Sequence, residues 1–231
     1  MGKSLRQYRT AKLLVVVSLV FSAKSVVAAA HDSSGMKRIL VFGDSLSAGF
    51  GLSSKQAWPA LVTEKLREAG LTNFEITNAS QSGGTTEGGL RRLPPHLKRK
   101  IDIFILELGI NDAFRGEPIA QIKNNLQSII EMVKAKNPNV RLIVCGMQLP
   151  NYTEDDYVFS FGKLYADVAA KNNATLIPYF LEGVGGDPNL NQPDRVHPNA
   201  AGQKILAENV WKVLEPIARE VATAETPARV P

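Results

Sequence analysis

Apolar residues follow two different periodicities along this chain from residue 37 onward. Short runs rich in apolar and β-branched residues, the pattern of buried strands, occur at Arg38–Phe42, Phe74–Asn78, Asp102–Leu108, Val140–Cys145 and Ala174–Ile177. Between these runs, apolar residues recur at steps of three and four, which is the spacing of one helix face. This second pattern predicts helices near Trp58–Ala69, Gly88–Arg99, residues 119–133, Tyr157–Lys171 and Ala200–Arg219.

The alternation of these elements predicts the fold class. Strand runs that are apolar throughout indicate a sheet covered on both faces. Five repeats of a strand followed by a helix predict a parallel sheet of about five strands between two helical layers, an α/β/α sandwich. We expect one domain over residues 31–220 and a disordered tail at 221–231, where two prolines lie in a sequence without periodicity.

The first thirty residues have the three parts of a secretory signal peptide. Basic residues up to Lys12 precede an apolar run that ends at Ala23, and the segment closes on three alanines at 28–30. The run is about half of the roughly 20 residues that a membrane-spanning helix needs. We therefore expect export to the periplasm or the medium, cleavage after Ala30 and no stable membrane insertion afterwards. An uncleaved anchor is the alternative, because Lys24 lies close to the apolar run.

Composition and charge narrow the function classes. The whole chain carries a net charge of +5, but residues 1–30 hold five basic residues and no acidic one, which leaves 22 of each sign in the remainder. The predicted domain is therefore neutral overall, and we expect no nucleic-acid partner. The single cysteine, Cys145, excludes an internal disulfide framework, and only three histidines are present, too few to suggest a His-rich metal centre.

Polar residues cluster where the predicted strands end. Gly43–Ser47 follows the first strand, Ala79–Thr85 the second and Gly109–Asp112 the third, while Asp194–Pro198 lies on the loop before the last helix. The carboxyl ends of parallel strands meet at one edge of a sheet, which is where α/β folds bind ligands. We therefore expect these four clusters to lie close together.

Together the clusters supply the groups that acyl transfer from an ester needs. Ser45, in a tight turn between a strand and a helix, is the candidate nucleophile, and its backbone N–H lies beside the developing charge. His197 is the candidate base, because imidazoles titrate near neutral pH, and Asp194 precedes it by three residues and can orient it. Gly83 offers an unobstructed backbone N–H and Asn111 an amide N–H, both suited to an oxyanion.

The same residues carry a resemblance to a known family, which extends from about residue 39 to residue 214. Four segments resemble the sequence blocks of the SGNH (GDSL-type) hydrolases: Gly43–Gly49, Asn78–Gly83, Glu107–Asp112 and Asp194–Pro198. The chain is most similar to the small secreted group of arylesterases, acyl-CoA thioesterase I and lysophospholipase L1.

The resemblance implies a flavodoxin-like fold and a serine esterase that hydrolyses esters and thioesters of short to medium acyl chains, including lysophospholipids, with no metal or cofactor. It implies that Ser45, Asp194 and His197 form the catalytic triad. It also implies that the N–H groups of Ser45 and Gly83 and the amide of Asn111 form the oxyanion hole. Small-molecule substrates are the expected partners, and we expect a monomer.

Two positions beside the predicted site depart from the relatives that the chain resembles most. Ile110 stands where they often have Gly, and Gly84 stands where they often have Asp; both exchanges can shift acyl preference. We expect the acyl chain to lie in an open groove formed by the loops after the third and fourth strands. The candidate lining is Ile110 together with aromatic residues of Asn151–Gly162: Tyr152, Tyr157, Phe159 and Phe161.

Two other functions are compatible with these residues. A carbohydrate O-deacetylase would use the same nucleophile, base and oxyanion donors. In a different class, a secreted binding module would hold an anionic ligand with the loop at Ser82–Thr86, the clusters otherwise serving as helix caps and turns. The binding module leaves Ser45, Asn111 and the Asp194–His197 pair without a role.

Overall fold

The structure, a computed structural model, describes residues 35–150 and 156–224, which belong to one compact unit. The predicted signal peptide, Tyr152 and residues 225–231 of the predicted tail lie outside these ranges. Cleavage after Ala30 therefore stays a prediction.

Strands and helices alternate through the described residues. The strands are β1 (Lys37–Gly43), β2 (Phe74–Asn78), β3 (Ile103–Glu107), β4 (Arg141–Cys145) and β5 (Thr175–Ile177). The α-helices are α1 (Ser45–Ala48), α2 (Trp58–Glu68), α3 (Thr86–Arg92), α4 (Ile110–Phe114), α5 (Ile119–Lys136), α6 (Asp156–Asn172) and α7 (Ala200–Thr223). Short 3₁₀ turns occupy Ser54–Gln56 and Pro94–Lys98.

The described strands form one five-stranded sheet in the order β2-β1-β3-β4-β5, and every pairing is parallel. All residues of β1 and β3 are buried, as expected for strands covered on both faces, whereas the edge strand β2 is only partly buried. Helix α2 packs against α7, and α5 packs against both α3 and α6. The predicted α/β/α sandwich with a parallel sheet is confirmed.

The helix expected over Gly88–Arg99 is two separate elements. Helix α3 ends at Arg92, and the 3₁₀ turn at Pro94–Lys98 follows it. Two consecutive prolines explain the break, because neither has an N–H to continue the helical hydrogen bonds and each clashes with the preceding turn. The apolar spacing alone did not show this interruption.

The last helix is longer than the sequence indicated. Helix α7 continues to Thr223, so the first three residues of the tail expected at 221–231 are helical. Val221 and Ala222 pack against the hydrophobic core, which explains why the helix extends past the predicted boundary.

Candidate active site

The sheet order reverses at β1, since β2 lies on one side of it and β3 on the other. Such a reversal opens a crevice at the carboxyl ends of the strands. Ser45 lies there, as the first residue of α1, directly after β1 and the capping residue Asp44. The Asp44 carboxylate accepts a hydrogen bond from the Leu46 N–H at 3.0 Å, which caps the helix and holds the turn.

The structure brings the three predicted triad residues together. The hydroxyl oxygen of Ser45 lies 2.9 Å from Nε2 of His197, although 152 positions separate the two residues. Nδ1 of His197 lies 2.7 Å from Oδ2 of Asp194. The imidazole thus bridges the hydroxyl and the carboxylate, which is the arrangement that proton transfer from a serine requires.

Backbone hydrogen bonds hold the Asp194 carboxylate in place. Oδ1 of Asp194 accepts the backbone N–H groups of Val196 at 2.9 Å and His197 at 3.0 Å. Arg195, which lies between Asp194 and Val196 in the sequence, has a φ of +60°, a left-handed conformation that closes the turn around the carboxylate. These backbone bonds, together with the imidazole, lower the pKa of Asp194 to about 2. The residue is therefore ionised over the pH range in which most enzymes work.

Two of the predicted oxyanion donors are available. In the part of the chain that the structure describes, the backbone N–H groups of Ser45 and Gly83 donate no hydrogen bond to protein atoms. Gly83 has a φ of +71°, which a residue with a side chain rarely adopts. The free N–H groups of Ser45 and Gly83 are suited to bind the negative charge that develops on the substrate's carbonyl oxygen.

The third predicted oxyanion donor, the side-chain amide of Asn111, is already hydrogen-bonded within the protein. Nδ2 of Asn111 donates to Oδ2 of Asp44 at 3.0 Å and to the carbonyl oxygen of Gly84 at 3.1 Å. Both amide hydrogens are therefore in use in this structure. Asn111 can serve an oxyanion only if one of these bonds is released or shared when substrate binds.

Two buried carboxyl groups, those of Asp44 and Glu107, lie next to the nucleophile turn, and the sequence pattern does not indicate this pair. Oε2 of Glu107 accepts hydrogen bonds from the Asp44 N–H at 3.2 Å and from the Ser47 hydroxyl at 2.6 Å. Ser47 in turn accepts a bond from Nε1 of Trp58 at 3.1 Å. The available signal was Glu107 itself, a charged residue that ends the apolar run of β3.

Burial is the largest cause of the unusual titration of this pair. Loss of solvent raises the pKa of Asp44 to about 7, against the hydrogen bonds from Leu46 and Asn111 that lower it. Burial raises the pKa of Glu107 well above its usual range, and the neighbouring Asp44 raises it further. The pair therefore retains a proton where exposed carboxyl groups are ionised.

Arg92 connects the nucleophile turn to the loop after β2. Its Nη2 donates to the Gly43 carbonyl at 2.7 Å, and its Nη1 donates to the carbonyl of Ala79. The guanidinium carbon lies 3.7 Å from the centre of the Phe42 ring. A second aromatic residue, Phe50, lies with its ring 4.5 Å from that of His197 and is half exposed. Neither Arg92 nor Phe50 was singled out from the sequence.

The residues predicted to line an acyl groove differ in their burial. Ile110 begins α4 and is nearly buried, and Tyr157 donates from its hydroxyl to the Glu117 carbonyl at 2.7 Å. Phe161 is fully buried and packs edge-on against a tyrosine of the same helix, so its prediction as a groove residue is wrong. Phe159, exposed on α6, faces solvent.

The expected groove loop, 151–162, overlaps the helix predicted near Tyr157–Lys171, and the structure favours the helix, because α6 begins at Asp156. The helical spacing turns Phe161 into the core and leaves Phe159 outside.

Among the described residues, no group of three histidine, cysteine or acidic side chains is placed to hold a metal ion. None of the described helices is long and apolar enough to cross a membrane.

Comparison with known proteins shows the family to which this chain is similar. The profile of the GDSL-like Lipase/Acylhydrolase family matches residues 41–205. Esterase TesA of Pseudomonas aeruginosa is 41% identical over 187 residues, which cover 80% of this chain and 92% of the relative. Thioesterase 1/protease 1/lysophospholipase L1 of Escherichia coli is 37% identical over 180 residues, 78% of this chain and 84% of the relative.

A solved structure agrees with these sequence relatives. The crystal structure of TesA superimposes with a TM-score of 0.74 at 41% identity, over 78% of this chain and 99% of TesA.

Proposed function

Because the chain belongs to the GDSL-like Lipase/Acylhydrolase family, we propose that it hydrolyses carboxylic esters and thioesters through an acyl-enzyme on Ser45, with His197 and Asp194 as its catalytic partners. The observation that carries this proposal is the continuous contact from the Ser45 hydroxyl through the His197 imidazole to the Asp194 carboxylate, at 2.9 and 2.7 Å. The unengaged N–H groups of Ser45, after β1, and of Gly83, in the loop after β2, are suited to hold a tetrahedral oxyanion.

The first step forms the acyl-enzyme. Oγ of Ser45 attacks the carbonyl carbon while Nε2 of His197 takes the hydroxyl proton, and the carbonyl electron pair moves onto oxygen. The N–H groups of Ser45 and Gly83 receive that negative charge. When the tetrahedral intermediate collapses, the bond to the leaving oxygen or sulfur breaks and His197 returns the proton to it.

The second step releases the acid. A water molecule attacks the acyl-enzyme, His197 takes its proton, and the same N–H groups hold the second oxyanion. Collapse of this intermediate expels Ser45, which regains a proton from His197. Asn111 supplies a third donor in both steps when it exchanges its bond to the Gly84 carbonyl for the oxyanion. Asp194, ionised throughout, stabilises the imidazolium.

Substitution and labelling of Ser45 test the proposal. We expect Ser45→Ala to fold normally but to lose p-nitrophenyl butyrate hydrolysis by about 10³-fold or more, because the nucleophile is gone. A fluorophosphonate probe should label the wild type at Ser45 and leave Ser45→Ala unlabelled, as read by intact mass. Ser54→Ala, a serine exchange in the exposed 3₁₀ turn at Ser54–Gln56, is the control that should keep both labelling and most activity. Full activity of Ser45→Ala would overturn the assignment.

The substrate range follows from the family and from the relatives. We propose short to medium acyl chains on aryl esters, coenzyme A thioesters and lysophospholipids as substrates; the names of the relatives include an esterase, a thioesterase and a lysophospholipase. Ile110 and Tyr157 are proposed to influence acyl preference. Rates with a chain-length series of each substrate, on wild type and Ile110→Gly, measure that preference.

The N-terminal sequence supports export. The basic residues, the apolar run and the alanines at 28–30 have the order of a secretory signal peptide, and we propose cleavage after Ala30. The intact mass of the protein recovered from the medium or periplasm of an expressing bacterium tests this. A mature chain that begins at His31 is the expected result, and retention of residues 1–30 would contradict it.

A further inference from the structure

A cavity of about 410 Å³ opens beside the loop that carries Gly83. Its volume lies within the range of small-molecule binding sites. Three arginines, Arg91, Arg92 and Arg115, line it together with Gln81, Thr85 and three glycines of the same region, and no acidic residue is among its lining. The cavity therefore concentrates positive charge, although residues 31–231 contain equal numbers of basic and acidic residues.

The charges of the three arginines are only partly compensated. Nη1 of Arg91 lies 2.5 Å from the carboxylate of Glu87, one turn earlier on α3, and this pair is exposed to solvent. Arg92 contacts two backbone carbonyl groups, which carry no net charge. Nη2 of Arg115 lies 3.4 Å from the Gly83 carbonyl, a weak contact. Three cations thus face the cavity; the Glu87 carboxylate pairs with Arg91 at its margin, and the buried carboxyl groups of Asp44 and Glu107 interact electrostatically with Arg92.

The cavity shares a wall with the catalytic turn. Gly83 lines it and is also the residue whose free N–H is proposed to hold the oxyanion. Gly84, its neighbour in the lining, accepts a hydrogen bond from Asn111 at 3.1 Å. A substrate whose carbonyl lies at the Ser45 hydroxyl can therefore extend its non-reacting part into the cavity without crossing the protein.

We propose that this cavity is a subsite for a phosphate group on the leaving part of the substrate. The proposal rests on the ester hydrolysis proposed above and adds a specificity determinant to it. Guanidinium groups bind phosphate oxygens with paired, charge-assisted hydrogen bonds. The glycine-rich wall lets a bulky anion approach the backbone closely. Coenzyme A thioesters and lysophospholipids both carry phosphate on the group that leaves, and both satisfy this chemistry.

Position 84 controls how much positive charge the cavity presents. A Cβ atom at Gly84 would lie 3.7 Å from Nη2 of Arg92 and 2.8 Å from the carbonyl oxygen of Gln81. A carboxylate at this position would therefore face Arg92 and compete with a phosphate. Gly84→Asp and Gly84→Ala meet the same crowding at Cβ, so their difference isolates the effect of the charge.

The test compares three substrates with one acyl chain: p-nitrophenyl octanoate, octanoyl-coenzyme A and octanoyl-lysophosphatidylcholine. We expect Arg91→Gln and Arg115→Gln each to raise KM for at least one phosphate-bearing substrate by about tenfold, with kcat little changed, because a charge-assisted hydrogen bond is lost. Hydrolysis of the neutral ester should stay within about twofold. Glu87→Gln should lower the same KM, and Gly84→Asp should raise it relative to Gly84→Ala.

Lys134→Gln is the matched control, since it removes one positive charge near the C-terminal end of α5, at the opposite edge of the sheet. An effect confined to octanoyl-coenzyme A assigns the subsite to the thioester leaving group, and an effect confined to the lysophospholipid assigns it to the headgroup phosphate. Equal changes for all three substrates, no change, or a wild type that hydrolyses only the neutral ester would overturn the subsite. Absence of hydrolysis of the neutral ester by wild type would instead overturn the proposed function.

Discussion

At the residue scale, the carboxylate of Asp194 is held more firmly than its exposure suggests. It accepts two backbone N–H groups on one oxygen and the imidazole on the other. The backbone bonds keep the carboxylate in place whether or not the imidazole is charged, and the low pKa of Asp194 keeps it ionised. An ionised, immobile acceptor selects the tautomer of His197 in which Nε2 is free to take the serine proton.

Asp194→Asn tests this role. The amide can still accept the two backbone N–H groups, but its NH₂ group would face Nδ1 of His197 and favour the unproductive tautomer. We expect kcat for a p-nitrophenyl ester to fall by about 10³–10⁴-fold with an unchanged melting temperature. Asp187→Asn, which changes a carboxylate that accepts the Asn189 N–H in the preceding turn, should keep its activity. Equal losses in the two variants would argue against the tautomer mechanism.

The buried carboxyl pair makes a separate prediction about stability and pH. The pKa of Asp44 is raised from 3.8 to about 7, and that of Glu107 is raised well above its usual range. Above about pH 4 the unfolded chain loses these protons while the folded protein keeps them, so folding stability falls as the pH rises. The loss due to Asp44 continues to about pH 7, and Glu107 adds a loss in the same direction.

Glu107→Gln removes one titrating member of this pair. We expect its melting temperature to decline less than that of wild type between about pH 5 and pH 7, because the amide never ionises. Its absolute stability is expected to be lower, since the buried position of Oε1 has no hydrogen-bond partner for an amide NH₂. Glu68→Gln, on the surface of α2, should leave the pH dependence unchanged. Parallel curves for wild type and Glu107→Gln would contradict the raised pKa.

At the scale of elements, the short helix α1 is held by a contact with the far end of the chain. Gln203, on the first turn of α7, accepts the Trp58 N–H at 2.8 Å and donates to the Leu46 carbonyl at 3.1 Å. It therefore satisfies the free N–H at the start of α2 and a carbonyl of α1 at once. A four-residue helix has little stability of its own, so this contact helps to keep Ser45 in place.

Gln203→Ala removes both bonds and leaves the two backbone groups buried without partners. We expect a loss of about 1–3 kcal/mol in the free energy of unfolding, measured by urea denaturation. Gln121→Ala, on the exposed face of α5, is expected to change stability by less than about 0.5 kcal/mol. A change for Gln203→Ala as small as that of the control would show that α1 is held by apolar packing alone.

The elements also show where periodicity is informative. The strand bounds were predicted within one residue at each end, because buried parallel strands are apolar along their whole length. The short helices α1 and α4 were not predicted, since four or five residues do not complete a repeat of the helical pattern. These two helices carry Ser45 and Asn111, and each begins within three residues of a strand end.

At the scale of the whole molecule, the fold joins residues from the two ends of the domain. Ser45 follows the first strand and His197 precedes the last helix, yet the fold brings their side chains within hydrogen-bond distance at the carboxyl end of β1. The described fold begins within a few residues of the predicted cleavage site, with β1 starting at Lys37. Among the residues that the structure describes, the hydrophobic core begins at Ile39.

A chain that begins at His31 is therefore expected to fold and to work without the preceding segment. Its melting temperature and its kcat/KM for p-nitrophenyl butyrate should equal those of the full chain, because a secretory signal peptide is removed from the mature protein and is not part of its fold. Calorimetry and initial rates on the two purified forms provide the measurement. A truncated form that unfolds at lower temperature would assign the segment a part in the fold.

The amino-acid sequence by itself determined the order of strands and helices, the burial of the sheet on both faces and the edge at which Ser45, Gly83, Asn111, Asp194 and His197 meet. These features are local, since periodicity records burial and each polar cluster directly follows its strand or precedes its helix. Only the tertiary structure decided which side chains touch across the chain. It joined Glu107 to Asp44, engaged both hydrogens of Asn111 and gathered three arginines around one cavity. Such contacts join residues far apart in sequence, and the packing of strands and helices against one another, which no local pattern records, brings them together.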